Sequence, residues 1–179
     1  MNNPFFTIGH STLTIENFVR LLQSSQVTQL VDVRTIPRSR TNPQYNLDVL
    51  GESLQDYQIS YNHLASLGGL RGKQQDFTPT PTGFWRNRSF QNYADYARTP
   101  EFRSGLADLT ESGRESVSAV MCAEATWWRC HRRIIADHLL AQGETVFHIL
   151  GERSPVQASL TSGARISDGL VVYPDRPGQ

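Results

Sequence analysis

The eleven residues Cys122-Ala-Glu-Ala-Thr-Trp-Trp-Arg-Cys130-His131-Arg132 hold most of the side chains in this sequence that could do covalent or acid–base chemistry. A cysteine becomes a nucleophile as a thiolate, and helix N-termini and adjacent cations favour that form. Cys130 is expected in the first turn of a helix over residues 128–142, beside Arg129, Arg132 and Arg133. His131 is the candidate general base, and Glu124 is the carboxylate expected to orient it or to pair with Arg132. Cys122 follows the apolar run 117–121, so Cys130 is the preferred reactive thiol. The competing reading is packing, because cysteines often serve as small buried hydrophobes. A zinc site built from Cys122, Cys130, His131 and a remote His10 is not expected, since the cysteine spacing does not match the usual short ligand spacing.

A second cluster reads Arg34-Thr-Ile-Pro-Arg38-Ser39-Arg40. Guanidinium groups offer a planar fork of donors that suits phosphate or carboxylate. Ser11, Arg34, Arg38, Ser39, Arg40, Gly68, Gly69 and Arg132 form the expected substrate-binding set; Cys130, His131, Glu124, Cys122, His10 and Asp32 form the expected catalytic set. The alternative for the arginines is a solvated basic loop. Asp32 lies between Val31 and Val33, so it requires a partner such as His10 or Arg34. His63, His138 and His148 sit in apolar stretches and read as core or surface histidines.

These clusters must be positioned by a scaffold. Thr7-Ile8 reads as a strand ending at Gly9-His10-Ser11, followed by a helix capped near Thr14 and a strand over residues 29–34. Strand, helix and strand in about thirty residues make a βαβ unit and a parallel sheet. Further elements are expected as a helix over 48–57, a strand over 59–64, helices over 89–99 and 100–112, and a strand over 116–121. After the helix over 128–142 come a strand over 145–150 and an edge strand or hairpin near 170–174. The fold class is therefore α/β, a mostly parallel sheet flanked by helices, with a rhodanese-like or flavodoxin-like order of elements. Ligands of such sheets bind beyond the carboxyl ends of the strands. His10, the Asp32–Arg40 cluster and the Cys122–Arg132 cluster all follow strands, so one cleft should hold them.

The segment 68–88 is irregular, basic and aromatic, with Phe77, Phe84, Trp85 and, just past its end, Phe90 alternating with basic residues. Such aromatics can clamp bases, or they can pin a long loop to the core. Its glycines fit no phosphate-binding loop of the Gly-Lys-Ser/Thr type. Length and composition bound the rest. The 179 residues suit one domain spanning 1–179, with a polar extension after about 151. Hydrophobic residues make up 38% and no window approaches a spanning helix, so no membrane association is expected. Seventeen basic residues balance seventeen acidic ones, which argues against a general nucleic-acid coat. Two cysteines are too few for a disulfide framework, and no secretory signal is legible at the start, so a reducing cytoplasm is the expected location.

The motifs Ile8-Gly9-His10-Ser11, Asp32-Val33-Arg34, Pro37-Arg38-Ser39, Leu67-Gly68-Gly69, Cys122-Ala123-Glu124 and Cys130-His131-Arg132 together resemble the family called domain of unknown function 488. The resemblance runs from Thr7 to about Tyr173. At Thr126-Trp127-Trp128 the chain differs from members with Asp-Pro and is similar to a subgroup with Trp before Arg-Cys-His-Arg. The resemblance implies a compact α/β domain and carries no activity with it. A weaker likeness in element order links the chain to rhodanese-like domains. It lacks their tight Cys-x-x-Gly-x-Arg loop, which weighs against sulfur transfer and phosphatase chemistry. Three functions stay open: an enzyme acting on a phosphate-bearing small molecule, nucleotide or nucleic-acid fragment; a non-catalytic nucleotide or nucleic-acid binding module; and a structural polar network. No cofactor is expected.

Overall fold

The structure is a computed structural model that describes residues 2–75 and 83–175. Its centre is β1 (Phe5–Gly9) hydrogen-bonded between β4 (Ser118–Cys122) and β5 (Val146–His148), with β2 (Gln29–Asp32) and β3 (Ser60–His63) beyond β4. The order is β3-β2-β4-β1-β5-β6; β1 to β5 run parallel, and β6 (Val156–Gln157) closes the edge antiparallel to β5. Every residue of β1 and β4 is buried. That is the condition of strands covered by helices on both faces.

The period-2 alternation of the strands supplies two cores. Phe6, Ile8, Leu30, Ala119 and Met121 face α1 (Ile15–Ser24) and α2 (Leu47–Gln55), where Phe18, Leu22, Leu50 and Leu54 are buried. Phe5, Val31, Val33 and Val120 face α3 (Arg88–Tyr96), α4 (Pro100–Glu115) and α5 (Arg132–Ala141). The helices start where the sequence places caps. Thr14 accepts from the Asn17 N–H at 3.2 Å, and Thr99 accepts from the Phe102 N–H at 3.2 Å with Pro100 next to it.

The C-terminal segment forms the hairpin β7 (Arg165–Ser167) and β8 (Leu170–Val172), turning at Asp168 and Gly169, both at positive φ. It is tied to α5 by Asp137, which accepts from the Tyr173 hydroxyl and the Thr161 N–H, each at 2.8 Å. The described aromatic residues of the irregular segment are packed into the core. Phe84 and Trp85 are buried against Tyr173, and Phe90 stacks on Trp85 at 5.0 Å. Phe77 lies outside the described residues. Among the described residues no helix is long and apolar enough to cross a membrane.

The expected helix over 128–142 is two elements. A single 3-10 turn covers Trp127–Arg129, the chain is extended at Cys130, and α5 begins at Arg132. The break has a local cause: the Cys130 sulfur accepts from the Arg132 N–H at 3.5 Å, in the manner of an N-cap side chain. Cys130 therefore stands just outside the helix rather than within its first turn.

Candidate functional site

The parallel register puts Gly9 beside Cys122 and Asp32 beside Met121. Three strands thus end at one level, and the ladder continues past them: the His10 N–H donates to the Cys122 carbonyl at 2.9 Å and the Ser11 N–H to that of Ala123 at 3.0 Å. A cleft of about 850 Å³ opens there. His10, Ser11, Arg34, Arg38, Ser39, Gly69, Cys122, Glu124, Cys130 and His131 line it. Asp32, Arg40, Gly68 and Arg132 do not.

Cys122 and Cys130 are both free, both buried, and their sulfurs approach to 2.7 Å. His131 sits against the second of them, with Nδ1 at 3.4 Å from the Cys130 sulfur. The other ring nitrogen, Nε2, lies 2.9 Å from the Val33 carbonyl. A carbonyl can only accept, so Nε2 carries a hydrogen, and Nδ1 is the ring atom directed at the Cys130 sulfur. Val33, and not Glu124, orients this histidine. Glu124 is exposed, and its Oε1 accepts from the N–H and hydroxyl of Thr126 at 3.3 and 3.2 Å, bracing the turn that follows.

Arg132 is fully buried, and its backbone N–H donates to the Cys130 sulfur. Its NH2 donates to the Glu124 carbonyl at 2.5 Å and its NH1 to the Thr7 hydroxyl at 3.4 Å, while Nε has no partner among the described residues. The expected pairing with the Glu124 carboxylate is absent; the contact is to that residue's backbone. Thr7 shares its hydroxyl with Nδ1 of His148 at 2.7 Å, and burial first, then the Arg132 charge, lowers that histidine to about 4. It is neutral at pH 7. Among the described residues no carboxylate lies within 4.0 Å of the Arg132 guanidinium.

A buried cation without a counter-ion favours an anion nearby. Burial pushes the Cys122 thiol well up, and it stays protonated. Burial acts the same way on Cys130, but the Cys122 S–H donated to its sulfur, His131 and the Arg132 charge outweigh it and hold that thiol well below its ordinary value. The two sulfurs thus differ in direction, Cys122 being pushed up and Cys130 held down.

Asp32 and Arg34 form a closed pair. Nε and NH2 of Arg34 donate to the carboxylate at 2.9 and 2.6 Å, and Tyr61 adds its hydroxyl at 2.7 Å. Arg34 NH2 also donates to the Tyr45 carbonyl at 2.6 Å, and NH1 reaches Nε2 of His10 at 3.4 Å. The charge of Arg34 is thereby neutralised internally. His10 stacks on Tyr45 with centroids 4.1 Å apart and donates from Nδ1 to the Ser11 carbonyl at 2.8 Å. Burial, helped by the Arg34 charge, lowers it to about 4, so its Nε2 is an uncharged acceptor on the cleft wall. Among the described residues Arg38 and Arg129, exposed at the rim, have no acidic partner within 4.0 Å.

The glycine pair acts by being small. A β-carbon on Gly68 would strike Thr35, and one on Gly69 would overlap the His131 ring. Three tyrosines escaped sequence reasoning: Tyr45 under His10, Tyr61 on Asp32, and Tyr93, whose ring meets His131 edge-on at 5.0 Å. Each is remote in sequence from its partner, and no local pattern marks it. Among the described residues no group of three or more His, Cys, Asp or Glu is arranged to hold a metal ion.

Fold and site together define an α/β protein with a thiol-bearing cleft at the carboxyl ends of a parallel sheet. The family described as Domain of unknown function DUF488 matches residues 14–139, and the chain belongs to it. The match takes in Asp32, Gly69, both cysteines and His131; His10 and Ser11 precede it. No curated protein and no solved structure matches the chain.

Proposed function

We propose that the chain is an enzyme in which Cys130 acts as a thiolate on a phosphate-bearing small molecule, such as a nucleotide. The observation that carries this reading is the Cys130–His131 contact, with the ring held by the Val33 carbonyl and the sulfur accepting from the N–H of Arg132, a buried cation with no carboxylate partner among the described residues. In this reading Nδ1 of His131 takes the Cys130 proton. The sulfur then forms a bond to the electrophilic atom of the ligand, the bond to the leaving group breaks, and the leaving group takes the proton back from His131. Arg38 and Arg129 hold the anion at the rim, with Ser11 and Ser39 as neutral donors. The neutral His10 accepts a hydrogen bond from the ligand at Nε2 in place of its long contact with Arg34, and Glu124 is a second proton acceptor. The hairpin tied to α5 supports reading the chain as one working domain.

A base-clamping module is the weaker alternative, because Phe84 and Trp85 are spent on the core. Iodoacetamide at neutral pH followed by peptide mapping tests the nucleophile: rapid labelling of Cys130 in the wild type is expected. Labelling of Cys122 first, or of neither thiol before unfolding, refutes it. A thermal-shift titration with phosphate and mononucleotides tests the ligand. Saturation at about 100 times the dissociation constant adds roughly 2.7 kcal/mol for a ligand of the folded state alone. No rise with any of them refutes the anion.

A further inference from the structure

We propose that Cys122 is the resolving thiol of Cys130, so that the pair takes up a hydroperoxide and stores its oxidising equivalents as a Cys122–Cys130 disulfide. This rests on the Cys130 thiolate of the preceding section and is independent of the phosphate ligand.

Three observations carry it. The sulfurs are 2.7 Å apart and both line the cleft, so a small oxidant that reaches one is beside the other. A disulfide bond is about 2.05 Å long, so closing it requires less than about 1 Å of movement. That movement falls on residues 123–129, of which Ala123, Glu124, Ala125, Trp128 and Arg129 are exposed and only one short 3-10 turn is regular. Finally, the two sulfurs differ in environment. Cys130 has His131, the Arg132 N–H and the Cys122 S–H to stabilise an anion, whereas Cys122 has a carbonyl oxygen, that of Glu124, at 3.7 Å, which disfavours one. An attacking thiolate and a protonated partner are the two roles the sequence of steps requires.

In the first step the Cys130 thiolate attacks the terminal oxygen of the hydroperoxide. The S–O bond forms, the O–O bond breaks, and the alkoxide or hydroxide leaves and takes a proton from solvent. Sulfur is oxidised by two electrons and the peroxide is reduced by two. In the second step the Cys122 sulfur attacks the sulfenic sulfur, the S–S bond forms, the S–O bond breaks, and water leaves with the Cys122 proton. An external thiol reduces the disulfide again. Oxidation also removes the anion that the Arg132 charge favours, and among the described residues no carboxylate takes its place. Stabilising the reduced form in this way makes a disulfide oxidising and easily reduced.

The reduced wild-type chain, treated with a small excess of hydrogen peroxide at neutral pH, provides the test. Titratable thiols should fall from two to none, and non-reducing peptide maps should show a Cys122–Cys130 cross-link that glutathione reverses. Cys122→Ser under the same treatment should leave a dimedone-reactive sulfenic acid at Cys130, and Cys130→Ser should give neither product. Wild-type Cys130 that proceeds to sulfinic acid without a cross-link overturns the inference, as do two thiols that stay free. Iodoacetamide separates the failures. Rapid alkylation of Cys130 without cross-linking removes the resolving role alone, and two thiols inert to iodoacetamide remove the nucleophile as well. Should Cys122→Ser not fold, the wild-type map decides.

Discussion

Gly69 lies so close to the face of His131 that a β-carbon there would overlap Nδ1, the atom directed at the Cys130 sulfur. The glycine is thus part of what sets the thiol–imidazole geometry, although it donates and accepts nothing there. Together with the Val33 carbonyl on Nε2, it confines the ring from two sides.

Gly69→Ala should therefore slow alkylation of Cys130 at neutral pH by displacing His131, and overpacking of this kind costs about 1–3 kcal/mol in stability. Gly72→Ala is the control, because nothing lies within 4 Å of a β-carbon at that position. Equal alkylation rates in the two variants would remove the ring's role in activating the thiol.

Arg132→Met separates electrostatics from packing. The guanidinium has no carboxylate partner among the described residues and one unsatisfied nitrogen, so a flexible apolar replacement should leave thermal stability unchanged or higher. The Cys130 thiol should move up, because the same charge helps hold it down. Urea melts together with the pH dependence of alkylation read both effects. A strongly destabilised variant with an unshifted alkylation profile would contradict the assignment.

The Asp32–Arg34 pair should behave in the opposite way. Arg34→Met leaves a fully buried carboxylate with Tyr61 and a backbone N–H as its remaining donors among the described residues, and breaking such a pair costs about 3–5 kcal/mol. Tyr61→Phe removes one hydrogen bond to a charged acceptor and should cost about 1.5–3 kcal/mol. Denaturant melts that rank Tyr61→Phe above Arg34→Met in cost would show that the pair is not the support of this wall.

Acid should unfold the chain through its buried histidines. His10, His138 and His148 are each lowered by burial from 6.5 to about 4. Between those values the unfolded chain binds more protons than the folded one. Stability is therefore full above about pH 6.5 and is lost as pH falls toward 4, on the order of 3 kcal/mol for each fully coupled histidine. Asp137, whose carboxyl burial holds above its ordinary value, works weakly in the other direction. A melting temperature constant from pH 7 to 4.5 would refute the neutral histidines.

What the sequence by itself determined is local. Alternating apolar residues in Phe5–Gly9 and Ser118–Cys122, the caps at Thr14 and Thr99, and the strand–helix succession specify a parallel α/β sheet, because periodicity and capping are properties of short segments. The placement of His10, Asp32 and Cys122 after strands was legible for the same reason, and the motif set was enough to mark the family. Partner choice was not. Asp32 takes Arg34, one of the two partners the sequence offered, but Arg34 also reaches the remote Tyr45, Glu124 braces Thr126 instead of His131, and Arg132 meets the Thr7 hydroxyl. The remote contacts among these depend on which strand lies beside which. The extended residue before α5 likewise arose from a sulfur accepting a backbone N–H, a competition no propensity reveals. Only the β2-β4-β1 neighbourhood brings Val33, Cys122 and Cys130 to a common point, and that register is a long-range pairing which no short stretch of chain contains.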